Sequence, residues 1–253
     1  DLEGYQKEVS FTDASGKKRT SKVNDPEGFK SALEVYNKKI IKNGKEIDFK
    51  LYEGQKDGIA FMYGRQSALL GDDTGAGKAA ETIIAADMRL KNSGGSAIII
   101  TVNAVQEQFA DEIRKFATRD PEDISFDANN LKTWNVLTYP MFQKRRAIDE
   151  ETKEPVVGDM ERKIQEHVKA GDITCLILDE CHNVKNSGAA RTENTQSISR
   201  FFDKDGTEYK IPFVWGASAT VVANRPIDVY NQLKVINHPL GQLAYSTFAK
   251  EFG

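Results

Sequence analysis

Two short stretches of this 253-residue chain carry residues whose types and spacing could do chemistry. The first is Leu70-Gly71-Asp72-Asp73-Thr74-Gly75-Ala76-Gly77-Lys78-Ala79. Glycines at 75 and 77 let the backbone turn tightly and aim its amides at an anion, and a helix starting at Lys78 adds positive potential. Lys78 is then placed to reach the β- and γ-phosphates of a nucleotide, and Asp73, Thr74, Gly75, Ala76, Gly77, Lys78 and Ala79 form the expected binding segment. Two positions depart from the strict phosphate-loop pattern. Asp72 stands where it asks for Gly, and Ala79 stands where it asks for the Ser or Thr whose hydroxyl ligates magnesium. A glycine-rich strand–helix turn beside an unrelated lysine has the same composition, so this stretch alone leaves both readings open.

The second stretch is Cys175-Leu176-Ile177-Leu178-Asp179-Glu180-Cys181-His182, an apolar strand running into two carboxylates. At the C-terminal end of a strand, Asp179 is suited to hold magnesium through water and Glu180 to orient and deprotonate an attacking water. A strand ending in a solvated acidic turn is the plain alternative. The two stretches together, both at strand ends and far apart in sequence, point to ATP with Mg2+ much more strongly than either alone. A zinc site from Cys175, Cys181 and His182 is conceivable, but the spacing matches no usual zinc pattern and alternation buries Cys175 within the strand. His167 and His238 have no partners in sequence.

The elements that must position these residues read as α/β. Apolar runs at 67–70, 97–102, 134–137, 174–178 and 212–215 predict strands, and amphipathic stretches at 55–63, 78–90, 105–116, 161–169 and 227–235 predict helices. Continuous apolar strands between helices imply a mostly parallel sheet covered on both faces. The stretch from Ala147 to Gly158 is charged, contains Pro155 and reads as an exposed loop. Residues 1–50 differ. Glu8–Phe11 and Ser21–Val23 flank the turn-rich Asp13–Gly16 and predict a hairpin, and a helix is expected from Pro26 to Ile41 with Phe29, Leu33, Tyr36 and Ile40 on one face. We read residues 1–50 as an accessory extension and 51–253 as the main lobe. Length and composition, with 39% hydrophobic and 29% charged residues, exclude a disordered or low-complexity chain. No apolar run reaches the roughly 18 residues that cross a bilayer. Two cysteines are too few for a disulfide framework, which predicts a soluble protein of a reducing, intracellular compartment. The net charge of −3 advertises no nucleic acid, although local basic patches at Lys17-Lys18-Arg19, Lys38-Lys39 with Lys42, and Lys144-Arg145-Arg146 could still meet phosphates.

These residues resemble the Swi/Snf-type ATPases of helicase superfamily two, in the right order over about residues 51–253. Leu51–Gly58 resembles the family's opening glutamine motif, which implies that Gln55 reads adenine. Leu70–Lys78 is similar to its Leu-Ala-Asp-Asp-Met-Gly-Leu-Gly-Lys-Thr loop, which accounts for Asp72. Asp179-Glu180-Cys181-His182-Asn183-Val184-Lys185-Asn186 resembles the distinctive Asp-Glu-x-His-x-x-Lys-Asn box. Gly216-Ala217-Ser218-Ala219-Thr220 resembles the motif that couples hydrolysis to DNA, giving Ser218 and Thr220 that role. Ile98–Val102 with Gln108-Phe109, and Val136–Tyr139, are similar to backbone-contacting motifs, which nominates Thr101, Asn103, Thr138 and Tyr139 for nucleic acid. Asn224–Tyr230 is most like the annealing-helicase branch, and Tyr245–Gly253 resembles the segment that closes the first lobe. Phe109 replaces the usual Trp, Ala79 the usual Thr, and Val221 the usual Pro.

The resemblance implies a RecA-like P-loop fold and a first lobe whose partners are duplex DNA and a second RecA-like lobe in the same or another chain. The expected activity is DNA-dependent ATP hydrolysis with translocation on duplex DNA, the isolated lobe being weak or inactive. The expected location is the cytoplasm of a prokaryote or phage host, or the nucleus of a eukaryote. Two alternatives stay open: a nucleotide-gated nucleic-acid-binding module whose hydrolysis is impaired by Ala79, and the motor lobe of a restriction-type enzyme.

Overall fold

The computed structural model of the chain describes residues 2, 4–12, 18–42, 45–71, 75, 77–144, 147–148, 150–151, 156–186, 188–221 and 226–252. In chain order, an antiparallel pair β1 (Gln6–Thr12) and β2 (Lys18–Asn24) precedes α1 (Pro26–Ala32) and a second antiparallel pair, β3 (Lys38–Lys42) and β4 (Lys45–Phe49). Then come α2 (Glu53–Tyr63), β5 (Ser67–Leu70), α3 (Lys78–Ser93), β6 (Ser96–Thr101), α4 (Gln106–Phe116), β7 (Ile124–Ser125) and β8 (Trp134–Thr138). The chain continues with α5 (Asp159–Ala170), β9 (Ile173–Asp179), α6 (Ala190–Ser199), β10 (Arg200–Phe202), β11 (Glu208–Lys210), β12 (Phe213–Ala217), α7 (Tyr230–Val235) and α8 (Tyr245–Phe252).

The central sheet has the order β5-β12-β9-β6-β8-β7, and every neighbouring pair is parallel. Alternation along its strands builds two cores. Ile99, Cys175, Ile177 and Trp215 face one layer with α1–α4, while Ile98, Ile100, Leu176, Leu178 and Val214 face the other with α5–α8. Strands buried on both faces are why these runs are continuously apolar. Helix α3 lies deepest, with Ala80 to Leu90 all buried. Among the described residues no helix is long and apolar enough to cross a membrane.

The accessory segment packs into the first core: Leu2, Phe29, Leu33 and Tyr36 sit among Ile59, Tyr63 and Ile83. The Tyr36 hydroxyl donates to buried Asp87 of α3 at 2.6 Å. The helix expected over Pro26–Ile41 ends early. It becomes a 3-10 turn at Leu33–Tyr36 and then strand β3, so Ile40 lies on a hairpin opposite Ile47 and not on a helix face. Asn37 makes the break, with ψ 113 and a side-chain oxygen that accepts the Leu51 amide at 2.8 Å. Beyond it the β-branched pair Ile40-Ile41 favours a strand. The β1–β2 hairpin is longer than expected, and its turn, Asp13–Gly16, lies outside the described residues. The sequence reading missed α6, the β10–β11 hairpin and two-residue β7. The helix expected at 227–235 opens as a 3-10 turn, Pro226–Val229. Of the loop between Ala147 and Gly158, Pro155 lies outside the described residues, and Ile148 and Val156 are exposed as expected.

Candidate active site

Parallel strands end together, so the sheet register decides what meets at its C-terminal edge. Ala217 pairs with Leu70 on one side and Asp179 on the other, Ile100 pairs with Leu178, and Thr101 pairs with Thr138. The phosphate loop, Ser218, the acidic pair and the Thr101 and Thr138 positions therefore stand in one row, at the edge where open parallel sheets place their ligands.

At the phosphate end, Gly75 and Gly77 have φ values of 80° and 93°, and Gly77 caps α3. A Cβ on residue 77 would meet only the movable end of the Gln55 side chain, so it is the left-handed backbone angle that calls for glycine there. Lys78 opens the buried 16-residue helix α3. Its helix N-terminus, its ammonium and the open glycine turn suit a chain of phosphates. Gln55, Gly75, Gly77, Lys78, Asp179 and Glu180 all line one cavity of about 770 Å³. Asp72, Asp73, Thr74 and Ala76 lie outside the described residues.

At the acidic end, Asp179 is largely buried, and burial raises its carboxyl pKa. The Thr101 hydroxyl, donating at 2.6 Å, and the charge of Lys78 pull the other way. A desolvated carboxylate beside a phosphate site is one that a divalent cation would restore to its charged form. Its carbonyl accepts the Tyr139 hydroxyl at 2.8 Å. Glu180 has φ 47°, a left-handed conformation that costs a non-glycine residue free energy and recurs at functional sites. Its side chain accepts the Ser218 hydroxyl at 3.0 Å and lies 3.2 Å from His182 Nδ1. That ring nitrogen is 2.9 Å from Ser218 Oγ and 3.2 Å from Thr220 Oγ1, and the Thr220 amide donates to Ser218 Oγ at 3.1 Å. The end of β9 and the exit of β12 are thus joined side chain to side chain.

Of the four residues nominated for nucleic acid, Asn103 is exposed, Thr138 is buried, and Thr101 and Tyr139 spend their hydroxyls on Asp179. Cys175 and Cys181 are free and buried, and burial pushes both thiols up. Gln232 of α7 gave no sequence signal. It is fully buried, accepts the Cys181 thiol at 3.1 Å and donates to the Val221 carbonyl at 2.8 Å, tying the acidic box to the segment after β12. A glutamine on a short amphipathic helix ordinarily reads as solvated, so only the tertiary structure finds it.

A parallel α/β sheet with a glycine turn, a lysine and an acidic strand end along one edge is a RecA-like nucleotide-binding lobe. Residues 54–252 match the family described as SNF2-related domain, and the chain belongs to that family. No curated protein matches it. Among solved structures it is similar to the SWI2/SNF2 ATPase core domain of Sulfolobus solfataricus, at 19% identity and TM-score 0.55, covering 81% of this chain and 38% of that one. The same core in complex with dsDNA gives 20% identity and TM-score 0.53, covering 81% and 39%. The UvsW helicase from bacteriophage T4 gives 19% identity and TM-score 0.53, covering 81% and 64%. At these identities the likeness is one of fold, and the chain spans less than two thirds of each of these proteins. Fold and family together define a helicase-like ATPase lobe.

Proposed function

We propose that the chain is the ATP-binding lobe of a DNA-dependent ATPase that translocates on duplex DNA, hydrolysing ATP to ADP and phosphate when a second RecA-like lobe completes the cleft. The observation that carries this reading is that Glu180, which lines the cavity with Lys78 and Asp179, is joined behind it to Ser218 and His182, and through them to Thr220. Gly75, Gly77 and Lys78 hold the phosphates, and Gln55 stands over the same turn at the adenine side. Asp179 would hold magnesium, which would supply positive charge to the phosphates of the nucleotide. Glu180 orients the attacking water and takes its proton. Because the base is hydrogen-bonded to Ser218, any displacement of the β12 exit moves Glu180 with it. That is a mechanical route from an occupied nucleic-acid surface to the hydrolytic water. Support for duplex DNA comes from the dsDNA complex of the Sulfolobus core and from family membership.

One observation favours a second reading, a nucleotide-gated binding module. Ala79 has no hydroxyl, and the Thr82 hydroxyl one turn on donates to the Ala79 carbonyl at 3.0 Å and cannot replace it. The deciding experiment measures phosphate release with and without duplex DNA, with a second lobe supplied in cis or in trans. The translocase reading expects stimulation by DNA that Glu180→Gln abolishes. Intact ATP binding without stimulation would leave the binding module.

A further inference from the structure

Glu180 is held by the two peptide planes that flank it, and both holds lead to one arginine. On its N-terminal side the Asp179 carbonyl accepts the Tyr139 hydroxyl at 2.8 Å. On its C-terminal side the Glu180 carbonyl accepts the backbone amide and the side-chain amide of Asn183, each at 2.9 Å. Fixing those two planes fixes the φ of 47° and ψ of 52° at Glu180, a conformation that persists only where its surroundings hold it. Arg191, in the first turn of α6, reaches both holders. It donates to Asn183 Oδ1 at 2.9 Å, and its guanidinium lies over the Tyr139 ring, 5.5 Å from the centroid. A guanidinium has donors and no acceptor, so it meets only the oxygen of the Asn183 amide and turns the NH2 toward Glu180. Buried Asn194 donates to the carbonyls of Phe142 and Lys144, both at 2.9 Å, which keeps α6 against the turn that carries Tyr139.

We propose that Arg191 is a positioning residue for the hydrolytic base: through Tyr139 and Asn183 it locks the backbone of Glu180 so that the carboxylate faces the nucleotide. This rests on the reading of Glu180 as the base and adds where its orientation comes from. Arg191 stands behind the acidic pair and outside the lining of the cavity, so nucleotide binding does not draw on it. Its effect belongs to the hydrolytic step alone.

The test measures single-turnover ATP hydrolysis by the full chain, with duplex DNA and a second lobe supplied, and ATP affinity by titration. Arg191→Ala is expected to slow hydrolysis about tenfold, the low end of what partners behind a reacting group contribute, with ATP affinity unchanged. Arg191→Lys, which keeps a donor for Asn183 and a cation over Tyr139, should restore most of the rate. Asn183→Ala reads the same hold with the arginine in place, and keeps the test open where a thermal melt shows that Arg191→Ala does not fold. It should also slow hydrolysis about tenfold, and the double variant should fall well short of the product of the two losses, because they share one path. An unchanged rate in Arg191→Ala overturns the proposal, and so does an equal loss of ATP affinity, which would mark general damage to the fold. The underlying reading fails differently. Unaltered protein that binds ATP and releases no phosphate, or hydrolysis that survives Glu180→Gln, removes Glu180 as the base and this proposal with it. Hydrolysis lost in Glu180→Gln and kept in Arg191→Ala overturns the positioning role alone.

Discussion

Position 79 decides how the acidic pair can use its metal. In the strict pattern a hydroxyl beside the lysine ligates magnesium, and here, among the described residues, the hydroxyl that touches the Asp179 carboxylate is Thr101's, arriving from β6. Thr101 is fully buried, so its role is to fix that carboxylate and favour its charged form. Partners of metal-holding groups typically contribute about 10–100-fold in metal affinity. Thr101→Val should raise the magnesium concentration for half-maximal ATP binding by about tenfold, while Thr101→Ser restores it. Equal magnesium requirements in all three proteins would reduce the bond to packing. Ala79→Thr should raise phosphate release with little change in tripolyphosphate affinity. No rise in the presence of a second lobe and DNA would favour the binding module. At this scale the contiguous chemistry was legible: Lys78 after its glycines, and Asp179-Glu180 after an apolar strand. The Thr101–Asp179 and Cys181–Gln232 bonds were not, because each joins residues that local pattern cannot bring together.

Elements hold these residues through a few buried polar nodes. Asp87 of α3 is the clearest, accepting from the Tyr36 hydroxyl, the Thr118 amide and hydroxyl, and the Arg119 amide. One carboxylate thereby ties the accessory extension and the turn after α4 to the helix that carries Lys78. Tyr36→Phe removes a hydrogen bond to a charged group and should cost about 1.5–3 kcal/mol, read by denaturant melts. Burial and the neighbouring Asp87 carboxylate push the Tyr36 phenol far above its ordinary 10.0. The unfolded chain ionises there first, so the stability this group contributes is complete below about pH 10 and drains away as pH rises further, at up to about 1.4 kcal/mol per pH unit. The Phe variant should lose less stability over that range, and parallel alkaline slopes would contradict the assignment. Gly77→Ala should weaken ATP binding, read by titration, because alanine is strained at a φ of 93°. The five long strands of the sheet and the helices between them were legible because burial on both faces writes continuous apolar runs. The β3–β4 hairpin was not. Its Phe29-Leu33-Tyr36 prelude has helical spacing, and only the Asn37 bond to Leu51 shows where that spacing stops.

Taken whole, the molecule is a two-core sandwich whose chemistry lies along one sheet edge, with an accessory segment that shares the first core and reaches the nucleotide cavity. Its net charge of −3 is uninformative about nucleic acid, because residues 1–50 carry 11 basic against 9 acidic residues and the rest is more acidic. Contacts to a phosphate backbone can be made by amides and hydroxyls without altering that balance. The molecule spans 38–39% of the Sulfolobus cores, and the proposed second lobe belongs to the remainder of such a machine. The proposed function requires that a nucleotide bind at Gly75, Gly77 and Lys78 against Asp179. Calorimetric titration of the chain with ATP in magnesium tests it directly. Saturable one-to-one binding is expected, which Glu180→Gln retains and Lys78→Ala weakens at least about tenfold, the loss of one charge-assisted phosphate contact. Absence of binding, or binding indifferent to Lys78→Ala, would contradict it.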